Sequence, residues 1–389
     1  MSLKRYNCEK MNRPFFSIII PTKNRSVLLP RAIDSVLSQD FSDYELIIVD
    51  NDDSNATEKV VSTYSNNHIK YYRTGNLSMA ENWNYGYSKT TGEYICLIQD
   101  KVLMKPGALT ELFKVINKYH PEAISWKWTE ILSETDKGTI TGSGNVICYN
   151  TATLITQFLN MKHRDYSHLR MHLPRGLNSC IKRELYEMIV EKSGRISMEN
   201  APDYTQAYQI LFNSKEVYVL DLSLIGRFNR DLKYGTGAQH DLGYLQLAVK
   251  GMNSKNTNIT TINYQPLEIT NTETIVMEDF LRVASEYGLD YSFKDVNCNN
   301  YLKTIYRNTL GRQSYAYPDN QDYFADLRVK IKECMSKTCK KGARRDLIVC
   351  KLLDVFYYPF HRCGIMTFNF IKRYAPSLAA FMWIIGEKI

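Results

Sequence analysis

The stretch "SIIIPTKNRSVLLPRAIDSVLSQ", residues 17–39, constrains the fold more than any other part of the chain. Ile18, Ile19 and Ile20, led by Ser17, form a β-branched run without polar alternation, as in a strand buried on both faces, and Pro21 is expected to stop it. From Leu28 onward the apolar residues Leu29, Ile33, Val36 and Leu37 recur at helical spacing. The unit then repeats. "YELIIVDNDDSNATEKVVSTYS" predicts a second buried strand over 45–49, an acidic turn over 50–53 and a helix over 56–64. Strand, turn and helix in tandem imply a parallel βαβ sheet. In such a sheet the turns after the strands converge with helix amino ends, so ligands sit at the carboxyl ends of the strands. The polar turns 22–25 and 50–53 both lie there.

At 389 residues and 44% apolar composition, the chain can bury a large core and predicts two domains. Its nine cysteines are scattered without a CxxC pair, and no histidine cluster has zinc spacing. That points to reduced thiols and a cytoplasmic setting rather than a disulfide framework or a structural zinc. The opening "MSLKRYNCEKMNRPF" lacks the apolar core of a signal peptide, and no uninterrupted apolar run is long enough to span a bilayer. The net charge of +8 is uneven: residues 328–389 hold 13 Lys and Arg against 4 Asp and Glu, a net of +9, which leaves −1 for residues 1–327. That tail interleaves its cations with aromatic residues, among them Phe356, Tyr357, Phe368 and Trp383. It reads either as helices lying on an anionic membrane surface or as a helical subdomain packed on the core. No nucleic-acid motif accompanies the charge.

The next stretch, "HIKYYRTGNLSMAENWNYGYSKTTGEYICLIQDKVLMKPGALTEL", predicts a strand over 69–72, a helix over 79–89 and a strand over 94–98 that ends in Gln99, Asp100 and Lys101. In their order and spacing, "SIIIPTKNR", "LIIVDNDDS", "NWNYGYSKTTGEYI" and "DKVLMKPGAL" resemble the family 2 glycosyltransferases of the GT-A fold, of the type that builds bacterial surface polysaccharides. The resemblance spans residues 14–235. It implies an α/β domain with a Rossmann-like, mostly parallel sheet over 14–240, divided into a donor half, 14–125, and an acceptor half, 126–240. An Asn-rich linker over 241–275 and a basic, aromatic-rich, mainly α-helical region over 276–389 would follow. A nucleotidylyltransferase shares the sheet but opens with a glycine-rich phosphate loop, which "PTKNRSVL" lacks.

The resemblance also implies roles. In the family the first two strand ends hold the nucleoside of a nucleotide sugar, and the matching residues are Pro21, Thr22, Asn24 and Asp50, with Arg73 placed to reach the base or a phosphate. A carboxylate at Asp50 can accept from the uracil imide or from ribose hydroxyls, which favours UDP. Outside that register the acidic turn would read as a helix cap. At the fourth strand end the family carries two or three carboxylates that hold a divalent cation against the donor diphosphate. Here Asp100 stands alone, followed by Lys101 and Val102. Lys101 could supply the positive charge in place of Mg²⁺ or Mn²⁺. Alternatively, Asp100 holds a metal together with a distant ligand such as His240 in "GTGAQHD", or the site binds nucleotide sugar or carbohydrate without turnover.

In the acceptor half, "PRGLNSCIKRELYEMIVEKSGRISMENAPDYTQAYQIL" predicts a strand over 178–181, a helix over 183–190 and a further helix opening at Pro202. The resemblance places the general base at the start of that last helix, at Asp203, with Glu199 as the fallback. The positive helix end would keep the carboxylate ionised, while simple capping is the structural alternative. In "KHRDYSHLRMH", His163, His168 and His172 are spaced for a polar helix face, and Arg164, Arg170 and Arg175 are candidates for contact with an anionic acceptor. Trp126 and Trp128 alternate as in a strand, for core packing or for a sugar platform. The expected reaction is transfer of a hexose or similar sugar from a nucleoside diphosphate to a hydroxyl of a glycan or lipid-linked glycan. One base opposite the leaving group implies inversion. The expected location is the cytoplasm, with peripheral attachment to the inner face of the cell membrane.

Overall fold

The computed structural model describes residues 13–131, 138–161, 169–228, 272–310 and 321–338. Strands β1 (Phe16–Thr22) and β2 (Tyr44–Asp50) are buried at every residue, and helix α1 (Leu29–Leu37) between them lays Leu29, Ala32, Ile33 and Val36 on the sheet. Helix α2 (Ala56–Val61), strand β3 (Ile69–Arg73), helix α3 (Met79–Ser88) and strand β4 (Tyr94–Leu97) continue the alternation. These four strands pair in parallel in the order β3-β2-β1-β4, so their carboxyl ends share one edge.

The chain then adds β5 (Val102–Met104), α4 (Ala108–Tyr119), β6 (Ala123–Ile131), β7 (Val146–Asn150), α5 (Thr151–Asn160), β8 (Ser179–Lys182), α6 (Arg183–Ser193), α7 (Pro202–Asn213) and β9 (Glu216–Phe228). Beyond β4 the sheet runs β8-β6-β9-β5, with β7 also on β9; β8 enters antiparallel and β6 pairs with β9 in parallel. Helices α8 (Thr272–Glu286), α9 (Cys298–Leu310) and α10 (Gln321–Thr338) follow. A mostly parallel α/β domain followed by helices is the architecture expected from the sequence.

Alternate strand residues serve opposite faces. Ile18, Ile20, Leu46 and Ile48 pack with α1 and with Leu109 and Leu112 of α4, while Ile19, Ile47 and Val49 pack with Trp83 and Tyr87 of α3. The second face continues through α7 into Val276 and Phe280 of α8, Tyr301 and Ile305 of α9 and Ile331 of α10, so the later helices complete the core on that face. Close packing of α3 depends on Gly86: a Cβ there would meet Ile19 Cγ2 at 2.8 Å and Val49 Cγ2 at 3.1 Å. Ser78 and Glu81 cap the start of α3 reciprocally, each side chain bonding the other's backbone N–H.

One expectation is corrected. Pro21 does not stop β1, which runs through it to Thr22 in register with Val49 and Asp50. The side of the strand explains why. Ile19 accepts from Ile98 N on the β4 side, whereas Thr22 accepts from Asn51 N on the β2 side. Pro21, two residues after Ile19, therefore turns its missing N–H toward β4, which has already ended at Leu97. Among the described residues no helix is long and apolar enough to cross a membrane. Residues 339–389, which hold most of the basic tail, lie outside the described residues.

Candidate active site

Parallel register puts Thr22, Asp50 and Arg73 at one level across three strand ends. The end of β1 is linked to the segment after β4 through Asp100, which is 3% exposed. Thr22 Oγ1 donates to Asp100 Oδ2 at 2.9 Å, and Arg25 Nη1 donates to Oδ1 at 3.0 Å. The turn after β1 is thus tied to the end of β4. Asn24 is exposed and adopts the left-handed region, φ 54°, which reverses the chain between Thr22 and Arg25.

Asp50 and Arg73 shape the neighbouring turn. Asp50 is fully buried and accepts from Tyr71 OH and from the Asp52 N–H, both at 2.8 Å. Burial raises its pKa above the ordinary value, against the pull of those two hydrogen bonds. Arg73 donates to the Ser54 carbonyl at 3.1 Å and pairs with Glu58 at 3.6 Å. Pro21 is buried within β1.

Lys101 follows Asp100 and is 9% exposed, with no hydrogen bond or ion pair to another described residue. Burial lowers its pKa to about 8; Arg25 and Arg227 push the same way, and Asp100 and Asp203 oppose them. Arg227 arrives because β5 pairs with β9, setting it opposite Val102. Asp203 arrives on the first turn of α7, from a segment a hundred residues later in the sequence. It does not cap that helix, whose N-cap, Ala201, has no side-chain hydrogen bond. Instead Asp203 Oδ2 accepts from Arg175 Nη1 at 3.4 Å. The Arg175 guanidinium lies 5.1 Å from the Trp128 ring and 5.0 Å from the Tyr204 ring, and Arg227 approaches Trp128 at 5.8 Å. Arg170 Nε donates to Tyr204 OH at 2.8 Å. Cations stacked on aromatic faces and one carboxylate thus form the other side of the cluster.

A divalent cation needs several oxygen ligands at once. Both oxygens of Asp100 are engaged by Thr22 and Arg25, a lysine stands next to it, and among the described residues no group of three His, Cys, Asp or Glu could hold a metal. Asp100 is thus the one carboxylate at this strand end that could meet Mg²⁺ or Mn²⁺, and the donor phosphates and water would have to supply the remaining ligands. His240, the other ligand considered, lies outside the described residues, as do His163, Arg164 and His168. His172 stacks on Tyr149 with ring centroids 5.3 Å apart. Trp126 is core, fully buried, and Trp128 alone of the pair reaches the cluster. Glu199 sits on the loop before α7, its carbonyl accepting from Arg282 at 2.8 Å.

Sequence reading missed Arg25, Arg227 and the two asparagines of "NWNYG". Asn82 Nδ2 donates to the Val49 carbonyl and to Asn51 Oδ1, bracing the turn after β2. Asn84 Oδ1 accepts from Ile196 and Ser197 N–H, and its amide donates to the Ser197 carbonyl, bracing the loop before α7. Two asparagines a half-turn apart are the visible signal, because mid-helix asparagine is otherwise unfavourable. Nothing local marks Arg227.

Comparison with known proteins bears on this geometry. Residues 17–171 match the profile of glycosyl transferase family 2. A GalNAc(5)-diNAcBac-PP-undecaprenol beta-1,3-glucosyltransferase of Campylobacter jejuni is 36% identical over 109 residues, 27% of this chain and 35% of that protein. A PGL/p-HBAD biosynthesis glycosyltransferase of Mycobacterium bovis is 28% identical over 115 residues, 28% of this chain and 45% of that protein. The chain thus spans less than half the length of either relative. Among solved structures, S. aureus TarS 1-349 in complex with UDP-GlcNAc aligns at TM-score 0.45 and 13% identity, covering 81% of this chain and 88% of that one. Mannosyltransferase PcManGT from Pyrobaculum calidifontis, with GDP-Man and Mn²⁺, aligns at TM-score 0.39 and 16% identity, covering 91% and 94%. Residues 17–171, which hold all four sequence motifs and the first strands of the sheet, are thus what this chain shares with glycosyl transferase family 2.

Proposed function

We propose that the chain transfers a sugar from a nucleoside-diphosphate sugar, UDP-linked by preference, to a hydroxyl of a glycan or lipid-linked glycan, with inversion at the anomeric carbon. One observation carries this reading: Lys101 after β4 and Asp203 at the start of α7, far apart in the chain, are gathered into one cluster, because Arg175 binds Asp203 and stacks on Trp128, which Arg227, opposite Val102, also approaches. They supply the two functions that displacement requires. Asp203 accepts the proton of the acceptor hydroxyl as its oxygen attacks the anomeric carbon. The bond from that carbon to the diphosphate oxygen breaks on the opposite face, and its electron pair leaves with the nucleoside diphosphate. Lys101, itself only 9% exposed, with Arg25 and Arg227 adding to the positive charge around it, meets the developing negative charge. The turn after β1, with Thr22 and Asn24, and the turn after β2, with Asp50 and Arg73, bound the nucleoside end.

The test is donor turnover with and without EDTA, in the wild type and in Asp203→Asn. Turnover should survive chelation, and Asp203→Asn should lower transfer roughly 10²- to 10⁴-fold while leaving donor affinity within a few-fold. Complete inhibition by EDTA with recovery on Mn²⁺ would replace Lys101 by a metal in this scheme. Donor binding without turnover of any nucleotide sugar would identify a carbohydrate- or nucleotide-binding protein. Near wild-type transfer by Asp203→Asn would remove that residue from the mechanism.

The lipid-linked acceptor gives the basic tail a role. The proposal includes docking of residues 328–389, with net charge +9, on an anionic inner leaflet, where each engaged Lys or Arg contributes about 1 kcal/mol. The full chain should sediment with anionic but not neutral vesicles, and high salt should release it. A chain ending at Thr338, which keeps the core residues Ile331 and Met335, should stay in the supernatant; equal sedimentation of both proteins would refute the docking.

A further inference from the structure

The loop in front of Asp203 is clamped by a helix from much later in the chain. Its first residues, Ile196 and Ser197, are held by Asn84, and Met198 N–H donates to Thr205 Oγ1 at 2.9 Å. The last three residues are held from α8. Asp279, fully buried, accepts from Asn200 Nδ2 at 3.0 Å through Oδ1 and from Ala201 N–H at 2.9 Å through Oδ2. Arg282 Nη2 donates to Asp279 Oδ1 at 2.9 Å and also to the Glu199 carbonyl at 2.8 Å.

This clamp answers two local weaknesses. Asn200 sits at φ +78°, a left-handed conformation that a side chain other than glycine adopts uncommonly. Ala201 is the N-cap of α7 and has no side-chain oxygen with which to hold the helix start. The Asp279 carboxylate instead grips the N–H of the cap residue itself. Two contacts fix α8 along α7: Tyr208 OH donates to the Val276 carbonyl at 3.0 Å, and Tyr287 OH donates to Gln209 Oε1 at 3.0 Å. A carboxylate kept in a fully buried position is costly unless it is well bonded. Burial pushes Asp279 up to about 7, against the pull of Arg282, Asn200 and the Ala201 N–H.

We propose that Asp279, with Arg282, is a positioning residue for the reaction: by holding residues 199–201 it sets where α7 begins and so holds Asp203 beside Arg175 and Lys101. The inference rests on the reading of Asp203 as the base. It makes α8 part of the catalytic apparatus, although neither Asp279 nor Arg282 touches a reacting atom.

The experiment is a double-mutant cycle on the full chain with Asp203→Asn, Asp279→Ala and the combination, reading kcat, acceptor KM and donor Kd for each. Asp279→Ala should lower kcat roughly 10- to 100-fold, as expected for a catalytic group displaced by about 1 Å, with donor Kd and acceptor KM within about 3-fold. In the Asp203→Asn background the same change should have no further effect, because Asp279 acts through Asp203. Unchanged kcat in Asp279→Ala, or an equal loss in both backgrounds, overturns the proposal. Full transfer by Asp203→Asn would overturn the base assignment instead. Arg282→Met, which leaves the Asp279 bond to Ala201 in place, gives a milder version of the same cycle. It decides the matter if Asp279→Ala does not fold: non-additivity with Asp203→Asn supports the proposal, and full additivity or an unchanged kcat overturns it.

Discussion

Replacing Lys101 by methionine should make the protein more stable and less active. The stability side follows from burial. In the fold Lys101 gives up its proton at about 8 rather than at 10.5. At about 1.4 kcal/mol per tenfold change in proton affinity, holding the charge in place at pH 7 costs the folded state about 3 kcal/mol. Methionine occupies a similar volume without the charge, so Lys101→Met should recover part of that cost and raise Tm by several degrees. The sign can be checked with pH. Below about 8 the wild-type lysine is charged both folded and unfolded and the cost is fully present; above 10.5 it is neutral in both and the cost is gone. The Tm advantage of Lys101→Met should therefore be constant below pH 8 and shrink as pH rises from 8 toward 10.5. The activity side follows from the charge itself, since losing one preorganised group at a developing anion typically costs roughly 10²- to 10³-fold in turnover. Differential scanning calorimetry at pH 7 and pH 10 and a nucleoside-diphosphate release assay read the two effects separately. A variant that is destabilised at pH 7 and turns over normally would refute the reasoning, because Lys101 would then be a structural residue.

Three further outcomes test the framework around the site. Glu45→Gln should destabilise by roughly 2–4 kcal/mol without altering turnover per folded molecule, since the 4% exposed carboxylate accepts from Ser17, Thr91, Gly92 and Lys70 at the opposite end of the sheet. Burial works to raise the Glu45 pKa, but the Lys70, Ser17 and Thr91 bonds outweigh it and the net shift is downward. The wild-type advantage in urea titrations should therefore be present above pH 4.5 and fade as pH falls through the depressed value. Gly86→Ala should cost roughly 1–2 kcal/mol despite better helix propensity, because the added methyl would meet Ile19 and Val49; a stabilised variant would show that α3 can shift. Asn84→Ala should leave two N–H groups and one carbonyl of residues 196–197 without their partner, lowering stability by roughly 2–3 kcal/mol and speeding hydrogen exchange of the Ile196 and Ser197 amides. Exchange no faster than in the wild type would refute it.

What the sequence determined by itself was local and periodic. The runs Ile18–Ile19–Ile20 and Leu46–Ile47–Ile48–Val49, and the helical spacing of Leu29, Ile33 and Val36, placed the first two strands and the first helix within a residue or two, because burial on both faces of a sheet or one face of a helix writes itself into neighbouring residues. Pro21 misled for the opposite reason: whether a proline ends a strand depends on which neighbour its absent N–H would face, and that neighbour, β4, lies more than seventy residues away in the chain. The candidate residues Asp100, Lys101 and Asp203 were legible through motif register, but their surroundings were not. That Thr22 and Arg25 occupy both oxygens of Asp100, that Arg227 stands opposite Val102 and that Arg175 pairs with Asp203 are consequences of strand pairing and of loops meeting across the sheet. Such contacts join residues about thirty to a hundred and twenty-five positions apart and leave no mark on local spacing. The hold of Asp279 on the loop before α7 is the extreme case, since only the packing of α8 against α7 brings a carboxylate from one segment onto the backbone of another.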